Sequence, residues 1–358
     1  MTEVTETSLL TEVVDDVLAG TGPDPDGPLP PPLWRTVTEM GWPLVGIPED
    51  LGGAGGGMRD LTVIVAGVGR HAALLPVIET ALAAWVLAVA GRSDLLGDED
   101  VAAVVLADQG TLGAPGEVRL HGDGRDGGIS GRLDPVPWGR VARRLVVYPP
   151  DTHGPVLLEA QGPGRTVETG GNLADEPRDV VRLDAAPVSA YLDDAAPADE
   201  VRARMGLLRA AGLVGAARAA LAFTRDHVSV RRQFDRPLTA FQAVAAGIAT
   251  MACGLAEAES ALERAAAVHD RPSTDTGGRL AATAAARVCA GRAATEIARL
   301  AHQLHGAIGT TREYPLHNAT RRLWAWRDED GAEHRWAGLL GGAAAEGGEA
   351  YLWDALTD

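Results

Sequence analysis

Residues 230–244 read VRRQFDRPLTAFQAV. Arg231, Arg232 and Arg236 crowd the end of one helical stretch, Pro237 forces a turn, and an amphipathic run restarts behind Leu238. Apolar residues then fall at Phe241, Val244, Ile248, Met251 and Leu255, with Leu262 a heptad later. Alternating steps of three and four gather them on one stripe, as in a helix bundle. Three guanidiniums around a turn form a bidentate seat for a diphosphate. A basic helix end complementing its own dipole uses the same residues. The residues alone leave both readings open.

Outward from this corner the texture changes twice. Downstream, a further helix from about Arg279 ends at Gly306, and the stretch finishes on three acids, Asp328, Glu329 and Asp330. Upstream, VAAVVLAD, EVRLHG, GISGRLD, RRLVVYP, PVLLEA and DVVRLDA are short β-rich runs between Gly, Pro and Asp, which predicts a compact antiparallel domain, a barrel or sandwich. Before them, helices are broken by the linker PDPDGPLPPPL and the long flexible turn GIPEDLGGAGGGM (46–58), with helical periodicity returning from Leu61 to about Ala90. The expected fold class is α+β, with a helical domain over 1–95, a β domain over 96–197 and a helical bundle over 198–358.

At 358 residues the chain exceeds one ordinary core, and 46% apolar residues suffice for a packed interior. A net charge of -17 excludes the basic field that nucleic-acid binding needs, although local arginines can hold a small anion inside an acidic protein. Lysine is absent. Cys253 and Cys289 are too few for a disulfide framework and read as inert thiols. MTEVTETSLLTEVVDD is acidic and polar, unlike a signal peptide, and ALAAWVLAVAG from Ala81 is too short to span a bilayer. The expected location is the cytoplasm, without membrane insertion.

Other motifs have plainer readings. GDGRDGG (122–128) matches G-x-G-x-x-G, but a strand follows it where a dinucleotide fingerprint opens a helix, so it is a hairpin turn. GGAGGG (52–57) lacks the Lys-Ser/Thr of a phosphate loop. His302 and His305 lie one turn apart without a third ligand, so no metal is expected. No serine sits in a nucleophile elbow.

RRQFDRPLTAFQ together with QLHGAIGTTREYPL resembles the C-terminal domain of the acyl-CoA dehydrogenase family, and GWPLVGIPEDLGGAGGGMRDL resembles its N-terminal domain. The likeness covers most of the chain in the right order and is weakest between about 100 and 195. It implies an N-terminal helical domain, a middle small β-barrel and a C-terminal four-helix bundle, usually in tetramers with FAD between domains and across a dimer interface. Carried over by motif, Arg231, Arg232, Gln233 and Phe234 resemble residues that reach a partner subunit's FAD. Phe241, Gln242 and the run Gln303, Leu304, His305, Gly306, Ala307 lie along the same cofactor.

The resemblance also implies a reaction. A carboxylate removes the α-proton of an acyl thioester, carried by coenzyme A or an acyl carrier protein, while the β-hydrogen leaves as hydride to the flavin. An electron-transfer acceptor reoxidises the flavin. The position matching the family's base is Asp330, before Gly331, one methylene shorter than the usual glutamate. The alternative base position, on the first long helix of the C-terminal domain, is Met205. In the middle domain, VVLADQGTLGAP and RLDPVPWGRV keep little of the family's flavin-ring seat, and Ala66 and Gly67 replace the acids that precede Gly-Arg. A kept corner for a partner's flavin beside an eroded seat of its own resembles one chain of a bacterial heterotetramer, some of which act on sterol-derived acyl-CoAs. Three functional readings follow: a dehydrogenase in a homo- or heterotetramer, a catalytically silent partner lending FAD contacts, and a flavin oxidase or monooxygenase on the same fold.

Overall fold

Proline and glycine set the first breaks of the chain. The computed structural model describes residues 6–20, 29, 31–107, 118–121, 127–150 and 154–357. Helices α1 (Glu6–Leu18), α2 (Pro31–Glu39), α3 (Met58–His71) and α4 (Val77–Val89) open it. The helical stretch expected from Leu61 to about Ala90 is therefore two helices. Ala72 turns into the left-handed region at φ 54 and Pro76 caps α4, where a missing N–H and a ring clash forbid continuation. The run 46–58 also differs from the flexible turn expected. Gly46 N–H donates to Gly55 O at 2.8 Å, Gly55 N–H to Ile47 O at 2.9 Å and Ala54 N–H to Leu44 O at 3.0 Å, so the loop is stitched closed over a buried Ile47. Gly53 is obligatory there: a Cβ would lie 2.0 Å from Ile47 O.

The β region comprises β1 (Ala102–Leu106), β2 (Arg119–Leu120), β3 (Gly128–Pro137), β4 (Arg144–Tyr148), β5 (Val156–Glu159), β6 (Arg165–Glu168), β7 (Arg178–Pro187) and β8 (Ala190–Tyr191). Six of these fall in the runs read from sequence; β6 and β8, short and half exposed, carry no comparable apolar signal. Among the described residues the strands form two four-stranded sheets, ordered β1-β4-β5-β8 and β2-β3-β7-β6, without closing into a barrel. Nor is the pairing wholly antiparallel. β1 runs parallel to β4, with Ala102 opposite Arg144 and Leu106 opposite Tyr148, and β1 is buried along its whole length, as a strand covered on both faces must be. Residues 122–126 of GDGRDGG lie outside the described residues. Their flanks pair antiparallel, Arg119 with Ser130 and Leu120 with Ile129, which is a hairpin.

The chain divides into two units, one of residues 24–61 and 74–205, the other of residues 1–23, 62–73 and 206–358. In the first, Leu82, Val86 and Leu87 of α4 pack with Val104, Leu106, Val146 and Leu157 of the sheet in one buried cluster. The second is helical. It contains most of α5 (Ala198–Val230), the miniature hairpin β9 (Arg232–Gln233) and β10 (Arg236–Pro237), then α6 (Gln242–Asp270), α7 (Thr276–His305), α8 (Leu316–Asp328) and α9 (Glu333–Thr357), broken at Gly348. Asp275 caps α7 by accepting the Gly278 N–H at 2.7 Å. By length and composition α5 resembles a membrane span, yet 78% of its most apolar window is buried, and it is a core helix.

Small residues let α3 and α5 touch at backbone distance and bring α3 against the Val14 side chain of α1. A Cβ on Gly215 would lie 1.9 Å from Ala66 O, one on Gly69 2.2 Å from Gly212 O, and one on Gly67 2.1 Å from Val14 Cγ1. Glycine at position 67 keeps α3 clear of the Val14 side chain.

Candidate active site

The corner quoted first is a hairpin at the end of α5. Gln233 pairs with Arg236 and Arg232 with Pro237, leaving Phe234 and Asp235 as a two-residue loop with φ of 50° and 60°. Two positive φ values in succession match the twist of a tight hairpin, and they turn Phe234 outward until 85% of it is exposed. Arg232 donates to Asp235 O, and Arg236 lies 4.0 Å over the Phe241 ring. Phe234 meets Phe241 edge-on at 6.2 Å. Arg231, Arg232, Gln233 and Gln242 are exposed. The guanidinium of Arg231 takes part in no hydrogen bond or ion pair among the described residues.

The second motif meets the helices of this corner through Leu304 and His305, among other contacts. Leu304 packs on α6 at Gly247, where a Cβ would lie 3.3 Å from Leu304 Cδ1. His305 stacks on His227 of α5, with ring centroids 4.5 Å apart, one helical turn before Arg231. Its Nδ1 bonds Ala301 O at 2.8 Å, which makes Nδ1 the donor, while Nε2 is buried without a hydrogen-bond partner. Burial holds the His305 imidazole below its usual pKa, opposed by the hydrogen bond it donates to Ala301 O. Burial and then Arg231 lower His227. Gln303 is exposed and accepts from Arg299 at 3.1 Å; Gly306 has φ 65 and open space where a Cβ would stand, and Ala307 is exposed. His302 instead bonds Thr320 Oγ1 at 2.9 Å, so the two histidines serve different partners.

The three acids part company. Asp328 pairs with Arg327 at 2.7 Å on the surface. Asp330 and Glu329 turn inward to Arg209 of α5. Its Nε lies 2.7 Å from Asp330 Oδ2 and its Nη1 3.4 Å from Glu329 Oε2, with side chains 3%, 17% and 15% exposed for Arg209, Asp330 and Glu329. The turn itself is built by Arg287 of α7. That buried guanidinium donates to Trp326 O at 3.2 Å, Arg327 O at 3.3 Å, Glu329 O at 2.6 Å and Gly331 O at 2.9 Å. Burial brings Arg287 down to about 10, opposed by Asp330, so it keeps its charge at neutral pH. Trp336 closes the turn by donating from Nε1 to Gly331 O at 2.9 Å. Neither arginine belongs to a motif. Their signal was a lone cation in an alanine-rich run, LLRAAG and AAARVC, where a buried charge must find partners.

In the middle region Trp138 is 2% exposed, so its ring faces the interior, and residues 108–117 of VVLADQGTLGAP lie outside the described residues. Met205 packs against the apolar cluster of the first unit.

Two family sequence models, acyl-CoA dehydrogenase N-terminal domain and C-terminal domain, match residues 12–95 and 203–334. Acyl-CoA dehydrogenase IpdE2 of Mycobacterium tuberculosis is 30% identical over 288 residues, 80% of this chain and 78% of that protein. The chain belongs to the acyl-CoA dehydrogenase family. Among solved acyl-CoA dehydrogenase structures, a variant of the Tcur3481–Tcur3483 steroid ACAD superposes with a TM-score of 0.84 at 26% identity, over 96% of this chain and 98% of that one. The ChsE4–ChsE5 complex from Mycobacterium tuberculosis shares the fold, with a TM-score of 0.83 at 22% identity over 96% and 98% of the two chains. Between the matched family domains lie residues 96–202, where the acyl-CoA dehydrogenase motifs are also weakest.

Proposed function

We propose that the chain takes part in FAD-dependent α,β-dehydrogenation of an acyl thioester as one subunit of an oligomer, with the arginine corner holding the flavin nucleotide of a partner subunit. The observation that carries this reading is the corner itself: an unengaged Arg231 guanidinium beside a Phe234 ring that is 85% exposed. That donor set suits a pyrophosphate next to an aromatic-faced nucleotide. Gly306, with nothing within 4 Å of a Cβ, and the unpartnered Nε2 of His305 complete the fit at the end of α7.

When bound, FAD supplies the acceptor for the β-hydride. The protein's part is proton removal and orientation. Asp330 is the candidate base, since it stands on a fixed turn and is partly open to a ligand. Its Oδ1 accepts no hydrogen bond among the described residues and is the atom to receive the α-proton, while the released electron pair forms the new double bond. The Tcur3481–Tcur3483 relative is a steroid ACAD, and a bulky, sterol-derived acyl thioester is the substrate class this reading favours. The cytoplasm is its proposed location.

A second reading is favoured by one observation, the engagement of Asp330 by buried Arg209 at 2.7 Å. A carboxylate committed to an ion pair suits a silent subunit that lends flavin contacts to an active chain. Co-expression with the genomic neighbour, followed by counting flavins per chain and bleaching with a panel of acyl thioesters, tests the proposal. One flavin per two chains, bleached by a thioester and lost when the partner is omitted, is the expected result. A full complement of flavin in this chain alone would count against assembly with an unlike partner.

A further inference from the structure

Two guanidiniums converge on the turn that carries Asp330, and they divide the work between backbone and side chain. Arg287 binds four carbonyl oxygens of the segment 326–331 and makes no ion pair with its acids. Arg209 instead pairs with the carboxylates of Asp330 and Glu329, and its guanidinium lies 5.7 Å from the Trp326 ring centroid. Asp330 sits at φ 55 and Gly331 at φ 101. A non-glycine residue held in the left-handed region is strained and persists only where its surroundings over-determine it. Here the surroundings are Arg287 and the Trp336 indole, which donates to both Asp330 O at 3.2 Å and Gly331 O at 2.9 Å. With the backbone fixed, the freedom left to Asp330 is the rotation of a short side chain.

We infer that Arg209 is the positioning residue for Asp330, holding one carboxylate oxygen so that the other is aimed for proton transfer. This rests on the reading of Asp330 as the base. The contact is one-sided: Nε meets Oδ2 at 2.7 Å, while Nη1 is drawn to Glu329 at 3.4 Å. A bidentate grip would occupy both oxygens of Asp330; this one leaves Oδ1. Arg209 is only 3% exposed, so its planar fork is itself immobile and transmits that order to the carboxylate. An aspartate lacks the methylene by which a glutamate adapts its reach, and proton transfer is governed by geometry before basicity. A fixed guanidinium is the compensation that this structure provides. In the step so served, the substrate α-C–H bond breaks and its proton goes to Oδ1; a bound flavin would supply the acceptor for the β-hydrogen and its electron pair.

The test uses the co-purified, flavin-loaded protein with Arg209→Met, Arg209→Lys, Asp330→Asn and the double variant Arg209→Met with Asp330→Asn. At saturating acyl thioester, Arg209→Met is expected to slow flavin reduction roughly a hundredfold, as about 1 Å of misplacement does, with the half-saturating concentration little changed. Arg209→Lys restores part of the rate, and the double variant is no slower than Asp330→Asn alone. Equal or faster reduction in Arg209→Met means that the arginine restrains Asp330 and overturns the inference; so does a double loss equal to the product of the single losses. Thermal unfolding of the same four proteins without flavin supplies an independent readout. The double variant should lose less than the sum of the two single losses, and simple additivity would deny that Arg209 holds Asp330 at all. If no thioester bleaches the wild-type flavin, the dehydrogenase reading fails, while the unfolding cycle still decides whether the pair is coupled.

Discussion

At the scale of single residues, the small side chains of α5 are as decisive as the charged ones. Gly215 lies against Ala66 so closely that a Cβ would stand 1.9 Å from the carbonyl oxygen, and that atom is backbone, which cannot swing aside. Gly215→Ala should therefore lower stability by about 2 kcal/mol, within the usual range for overpacking. Gly254, on α6 with nothing within 4 Å, is the control: Gly254→Ala should raise stability by about 0.5–1 kcal/mol through helix propensity alone. Urea unfolding of the two variants decides the point, and equal midpoints would show that α3 and α5 are not in backbone contact at Gly215. Glycine 215 carries no such message in the sequence, where it reads as one more small residue in an alanine-rich helix. The same holds for Arg209. Its partner lies 121 positions away, so no local pattern links them. Asp330, in contrast, becomes a candidate from the sequence through the order of residues after Glu313, Tyr314 and Pro315, whatever it touches.

At the scale of elements, the ends of α5 and α7 are joined by the stacked rings of His227 and His305, with Tyr314 4.9 Å from the second. Both imidazoles, and that of His302, are held below the usual histidine pKa, each chiefly by burial. The folded protein thus binds fewer protons than the unfolded chain once the pH drops below the unfolded value of about 6.5. The sign follows: stability is full above that value and falls with pH towards the lowered folded pKa. The unfolding midpoint should drop between pH 7.5 and 5.5, above the range in which ordinary carboxylates titrate. His305→Phe keeps a stacking ring and removes one titrating group, so its midpoint should drop less over the same interval. An identical slope in the variant would clear His305 of any part in it. Elements were legible to different degrees for a physical reason. Helices and most strands announce themselves by local period, whereas the direction in which β1 and β4 pair is a matter of tertiary contact, and the expected barrel gave way to two open sheets.

At the scale of the whole molecule, an acidic chain of net charge -17 keeps a cluster of three arginines exposed at one corner. Such a protein gains nothing in solubility from the cluster, and Arg231 has no protein partner among the described residues to justify it as a structural cation. The proposed flavin nucleotide would supply the cluster with its counter-charge and the exposed Phe234 with a ring to meet. Replacing Arg231 and Arg232 together with glutamine separates structure from binding. Exposed substitutions of this kind change stability by about 0.5 kcal/mol or less, so the thermal midpoint without flavin should stay put. Flavin retained through gel filtration should fall, and fall further as salt is raised, because the remaining attraction between nucleotide and corner is screened. When the double variant is assembled with a wild-type partner chain, the loss should appear in the partner's flavin as well, as the proposed shared site requires. Undiminished flavin in that mixed assembly would leave the arginines without their proposed task, and the basic helix end would then need no explanation beyond its own dipole.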